Sequence, residues 1–293
     1  MKDAARLLAY FAATLLIGAL LAPVLFWSAQ WLAAHHILSF LARYDFENFF
    51  HRALLIAAIV LLWPLLRALR IKSWRELGLV PNAHGSRDLL AGFLLAAIPL
   101  LCCAAVLLLS HGYSIRNSIR WAAASGVISA SLFVPPIEEL FFRGLLLGVL
   151  LRSATRALAI IFTSGFFAVL HFLKAPEESG TAVAWNSGFI SIAHSFDQFS
   201  EPVLVAAGFT TLFLLGWILA DARIRTRSLW LPIGLHSGWI LAAGLFSIMA
   251  RPAAIGLPWV GKSLLVGIVP LTVGLLTWLL LGAWLNHAAP RAT

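Results

Sequence analysis

The stretch LLAYFAATLLIGALLAPVLFWSA, residues 7–29, holds no charged side chain. As a helix rising 1.5 Å per residue it reaches about 35 Å, enough to cross a hydrocarbon core of about 30 Å. Lys2 and Arg6 precede it. Its length exceeds the roughly 7–15 apolar residues of a signal peptide, so it reads as a retained first span. Further apolar runs lie at about 53–66, 89–109, 121–151, 157–173, 203–220, 229–250 and 263–286. The second is short, and its ends are expected to tilt, thin the bilayer or snorkel through Arg52 and Arg67. The fourth is broken at Pro135-Pro136 and resumes as a more polar helix.

Composition agrees with these runs. Hydrophobic residues make up 61% of the 293 positions and charged residues 11%, with a mean hydropathy of +0.92. A water-facing domain carries roughly 25% charged residues, so too few are present here to solvate a surface of this size. The expected fold class is all-α, a polytopic membrane bundle of about eight transmembrane helices. It forms a single membrane domain over 1–293, with a motif-bearing core at about 121–250.

The net charge of +9 does not point to nucleic acid, because the basic residues are dispersed between apolar runs. An anionic membrane surface is the simpler partner. Most of the 21 Lys and Arg fall in segments that are cytoplasmic if the N-terminus is inside, which favours both termini in the cytoplasm. The compact, loop-poor chain suggests a bacterial plasma membrane. The segment 174–202, with Glu177, Glu178, Asp197 and Glu201, reads as an acidic outer loop or re-entrant segment, and its Asn186 and His194 as ordinary loop polar groups. Cys102 and Cys103 are adjacent in an apolar run and read as packing residues. Trp121 and Trp230, near span ends, read as interfacial anchors.

Ionisable groups at membrane depth cost about 2.5–3.5 kcal/mol each and generally serve a function. Three runs carry them: Pro135-Pro136-Ile137-Glu138-Glu139-Leu140-Phe141-Phe142-Arg143, then Phe166-Phe167-Ala168-Val169-Leu170-His171, then Pro232-Ile233-Gly234-Leu235-His236-Ser237-Gly238. Glu139 and Arg143 stand four apart on one helical face and can pair, while Glu138 is turned by roughly 100°. Glu139 is therefore expected to be structural and Glu138 available for chemistry. Gly144 and Gly148 suit close approach of another helix, and Gly234 and Gly238 do the same around His236. Counted from Arg152 and Arg156, Glu138 and His171 lie ~21 and ~22 Å deep; His236 is ~14 Å past Arg227. A carboxylate and two imidazoles converging in a wet cavity can activate water. Two other classes compete. One is a proton-coupled transporter using a Glu/His path, which lacks visible inverted repeats. The other is a non-catalytic membrane scaffold or immunity protein.

Glu138-Glu139-x-x-x-Arg143, followed by Phe167-x-x-x-His171 and by His236 in a later span, resembles the CPBP (Abi) family of intramembrane proteases. That family includes Rce1-type CAAX prenyl endopeptidases and bacterial relatives linked to bacteriocin processing or immunity. The resemblance implies an eight-helix fold and hydrolysis of a peptide bond in a membrane-anchored or lipidated, CAAX-like substrate. It implies that Glu138 activates the water, His171 helps to hold it and His236 stabilises the oxyanion, with Glu139 and Arg143 in support. Phe167 reads as a packing residue or a lid over His171. No cofactor is required by this reading; its variant is a zinc enzyme with Glu138, His171 and His236 as ligands. One position departs from the family pattern. Many members carry a polar residue such as Asn four positions after the last His, where this chain has Ile240, which cannot donate a hydrogen bond.

Overall fold

The computed structural model describes residues 2–80, 84–119, 121–172, 182–261 and 264–287. Helices dominate: α1 (Lys2–Ala34), α2 (Phe46–Ala68), α3 (Gly85–Leu109), α4 (Ala122–Glu139), α5 (Leu147–Leu150), α6 (Arg156–Phe172), α7 (Ser187–His194), α8 (Pro202–Thr226), α9 (Trp230–Met249) and α10 (Ile268–His287). Six of them, α1, α2, α3, α8, α9 and α10, are long and apolar enough to cross a membrane, with mean hydropathy between 1.5 and 2.7. The other two expected spans are helical as well: α6 is shorter, and the fourth is the interrupted run from α4 to α5. The protein is an integral membrane helix bundle. Its many exposed large apolar side chains, such as Leu109 and Phe133, suit a lipid solvent, where a water-facing surface of this kind would not.

The described residues cluster into two compact units. The first holds Met1–Lys72 and Leu170–Ser200, the second Ser73–Val169 and Glu201–Thr293. In the first, α1 and α2 form a hairpin around Ala22, Phe50 and Ala53. Small residues let the backbones close: a Cβ on Gly18 would lie 2.5 Å from Leu54 Cδ2. Helix α2 begins at Phe46, so it is long enough to span without the adjustment its shorter apolar run suggested. Helix α7 packs on α1, with Gly188 against the Ala19 backbone. Ser191 on α7 donates a 2.6 Å hydrogen bond to the buried Glu47 of α2. The expected loop at 186–194 is therefore helical: Asn186 precedes its first turn and His194 ends it. Glu177 and Glu178 lie outside the described residues.

In the second unit α9 is the central element, packed by α3, α4 and α8 and the most buried of the six long helices. The close approach of α3 is what its glycines permit. A Cβ on Gly238 would meet Ala96 Cβ at 3.0 Å and Ala97 N at 3.2 Å, and one on Gly92 would meet Leu235 N at 2.8 Å. Strands β1 (Tyr113–Ile115) and β2 (Ala250–Pro252) pair antiparallel, tying the ends of α3 and α9. Trp230, at the start of α9, is half-buried, and its indole N–H donates to Val80 O at 3.1 Å.

The fourth run differs from expectation. Pro135 and Pro136 lie within α4, which continues unbroken to Glu139. The irregularity follows them, as a π-helical stretch from Leu140 to Leu146 before α5. There the Leu147 N–H reaches back five residues to Phe142 O. Such wide turns are rare and often accompany functional sites. Gly144 in this turn faces the Leu77 carbonyl, 2.7 Å from where a Cβ would stand, while Gly148 has open space. Among the described residues the Gly144–Gly148 pair thus admits a loop carbonyl and no second helix.

Candidate active site

Two elements of the second unit bring ionisable side chains together in its apolar interior, α4 with its wide turn and α9, and α6 adds the Phe167 ring. The anchor is Arg143, fully buried on the wide turn. Its Nη1 donates to Glu139 Oε1 at 2.9 Å and its Nη2 to the Gly216 carbonyl on α8 at 3.2 Å. The guanidinium carbon lies 4.4 Å from the Phe167 ring centroid and 5.5 Å from that of Phe142. A desolvated cation over an aromatic face is worth about 2 kcal/mol or more. Phe167, itself buried, is therefore a floor for the arginine. Its edge also faces His236, with centroids 6.1 Å apart and planes at 78°.

Glu139 does more than pair with Arg143. The same Oε1 accepts a second hydrogen bond, from His236 Nδ1 at 2.9 Å. A carboxylate fixing one ring nitrogen sets the direction of the other. Here Nε2 is turned toward Glu138, 3.9 Å from its Oε2, a separation longer than a direct hydrogen bond. Glu138 retains about a quarter of its side-chain exposure, whereas Glu139 has none. The roughly 100° turn between consecutive helical residues explains the difference: one carboxylate faces the arginine and the other the rim. The arrangement is a chain, Arg143 to Glu139 to His236 to Glu138, running from a sealed interior to a partly open edge.

His171 occupies the last turn of α6, exposed, in the part of that helix that belongs to the first unit. Glu138, Glu139, Arg143, Phe167 and His236 come together within the second. Ile240 is half-buried one turn beyond His236. The Gly216 carbonyl and the Phe142 ring were not legible in the sequence, since a backbone acceptor from another helix leaves no residue signature.

The donors in this cluster do not make a metal site. Glu139 Oε1 is already shared by a guanidinium and an imidazole, which leaves His236 Nε2 and Glu138 facing a common point. A zinc ion takes four ligands, at least three of them from protein even when catalytic. Among the described residues no group of three or more His, Cys, Asp or Glu is disposed to hold a metal.

Fold and cluster together define a class: a helical integral membrane protein with a carboxylate–imidazole pair suited to hydrolytic chemistry, braced by a buried ion pair. Residues 119–242 match the family model described as Type II CAAX prenyl endopeptidase Rce1-like. The matched segment contains every motif residue named above, and the resemblance to Rce1-type endopeptidases is borne out over those residues. No curated protein and no solved structure matches the chain. In general terms, an intramembrane endopeptidase of the CAAX type acting on a membrane-anchored substrate is what the family supports.

Proposed function

We propose that the protein hydrolyses a peptide bond near the C-terminus of a lipidated or otherwise membrane-anchored peptide, with Glu138, His171 and His236 as the catalytic residues. The observation that carries this reading is the direction of His236, whose Nδ1 is held by Glu139 while Nε2 faces Glu138 at 3.9 Å. Glu138 takes a proton from a water, the hydroxide oxygen bonds to the scissile carbonyl carbon, and the carbonyl oxygen becomes an oxyanion. An N–H at His236 Nε2 stabilises that oxyanion. Because Nδ1 donates to Glu139, Nε2 carries a proton only when the ring is doubly protonated. Collapse of the intermediate breaks the C–N bond, and Glu138 passes its proton to the leaving amine.

His171, by the family resemblance, helps to hold the water. Glu139 and Arg143 are positioning residues, and Phe167 supports Arg143. The loop charges favour both termini in the cytoplasm, and the compact, loop-poor chain favours a bacterial plasma membrane.

The test is comparative peptidomics of membrane fractions from cells expressing the parent or Glu138→Gln. C-terminal fragments that appear with the parent and vanish with the variant are expected. Equal cleavage by Glu138→Gln and His171→Ala proteins at normal abundance would sink the proposal. Ile240 favours one second reading, a non-catalytic scaffold, since it removes a donor from the position one turn past His236. That reading requires that no peptide product depend on Glu138.

A further inference from the structure

Away from the cluster, at the far end of α9, two adjoining cavities of about 430 and 160 Å³ share Arg116 and Ser118. The larger runs between the start of α4 and the end of α9, with Val127 and Ile248 on its apolar wall and Ser247 beside them. The smaller adds Asn117 and Arg251. His236 and Ser247 are eleven residues apart on α9, ~17 Å at 1.5 Å per residue, so these cavities are separate from the candidate active site.

The two arginines are placed by the small sheet. Ser114 pairs with Arg251, and the ladder extends through the Arg116 N–H, which donates to Met249 O at 2.8 Å. Side chains alternate along a strand, so Ser114, Arg116 and Arg251 share one face. Arg116 is further fixed by its Nε, which donates to the Ala250 carbonyl at 3.2 Å, leaving its terminal nitrogens for the cavity. Like charges on neighbouring positions of one ladder face repel. Among the described residues no carboxylate lines either cavity or bridges to either guanidinium. An anion between them turns that repulsion into attraction, and arginine is the side chain best matched to phosphate oxygens.

The apolar wall decides which anion. It is built from two helices of a membrane bundle, and exposed Trp121 and Trp259 lie close by in the chain, as residues of the headgroup level do. We propose that this paired cavity binds the phosphate headgroup of an anionic phospholipid. Arg116 and Arg251 grip the phosphate, Asn117 and Ser118 take the remaining polar groups, and the upper acyl chain follows Val127 and Ile248.

The full chain, purified and delipidated in detergent, is titrated with phosphatidylglycerol or phosphatidylcholine and bound lipid is counted by native mass spectrometry. The parent is expected to retain one phosphatidylglycerol in preference to phosphatidylcholine. Arg116→Gln/Arg251→Gln, which removes both charge-assisted contacts, should weaken that retention about tenfold or more. Ala123→Phe, which fills the apolar side and leaves both arginines, should lower it too, and serves if the double variant does not fold. The proposal is overturned if the parent shows no headgroup preference or if either variant retains the lipid like the parent. Displacement of the lipid by equimolar inorganic phosphate, or by a peptide with a free C-terminal carboxylate, overturns it as well, in favour of a general anion or peptide site.

Discussion

Arg143→Met is the most direct probe of the buried chain of contacts. Methionine is an unbranched apolar side chain that fills much of the same space, but it removes the cation that Glu139 faces in a fully buried position. At 2.9 Å the pair attracts by about 6 kcal/mol at an effective dielectric of about 20. Desolvation offsets part of that, and breaking one side of a buried pair costs about 3–5 kcal/mol because an uncompensated charge remains. The bond to the Gly216 carbonyl and the stacking on Phe167 are lost as well. At roughly 2–4 °C per kcal/mol, the melting midpoint should fall by about 6–20 °C. A thermodynamic cycle isolates the pair: Glu139→Gln, Arg143→Met and the double variant are compared by unfolding in mixed micelles. Because the double variant leaves no orphaned charge, it should be less destabilised than the sum of the singles by about 2 kcal/mol or more. Coupling indistinguishable from zero, or an Arg143→Met protein melting like the parent, would refute the ion-pair reasoning.

Other consequences follow from the same geometry. Phe167→Leu keeps apolar volume but removes the ring beneath Arg143, and should lower stability by about 1–3 kcal/mol in the same micelle assay. Gly238→Val forces a side chain into the α3 backbone and should destabilise by about 1–3 kcal/mol or more, with Gly148→Ala as a near-neutral comparison. Ile240→Asn places a donor one turn beyond His236; peptide turnover should rise about tenfold in kcat with KM little changed, since single oxyanion donors are worth up to 10²–10³. Tyr113, on β1, is buried and donates to Gly261 O, and burial followed by the nearby Cys103 pushes its hydroxyl above its ordinary value. Unfolded tyrosine ionises near 10, so above that pH the unfolded chain sheds a proton that the folded one keeps. Stability from this residue is thus present below about pH 10 and lost above it, a slope that Tyr113→Phe should abolish in unfolding titrations.

Parts of the site were readable from local spacing. The four-residue step from Glu139 to Arg143 foretold their pairing, because residues one helical turn apart must meet. The prolines announced irregular backbone in the right helix but not where it would fall: α4 absorbs both, and the ladder widens only after Glu139. Gly144 and Gly148 looked like a helix seam, yet one faces a loop carbonyl and the other open space, since two glycines state what is permitted and not what arrives. Asn186 and His194 looked like loop residues because their helix is short and bounded by polar residues.

What the sequence by itself determined is the solvent and the secondary structure: uncharged runs long enough to cross lipid must be helical, since no other local conformation satisfies their backbone there. It also determined which side chains would be costly to bury, and so which were candidates for chemistry. Only the tertiary structure decided that His236 is aimed by Glu139 toward Glu138, that Arg143 finds its last acceptor on α8, and that Phe167 lies under the arginine. Those contacts join residues from about twenty to nearly a hundred positions apart, and their geometry depends on helix packing angles and on one widened turn. No local pattern of residues encodes either.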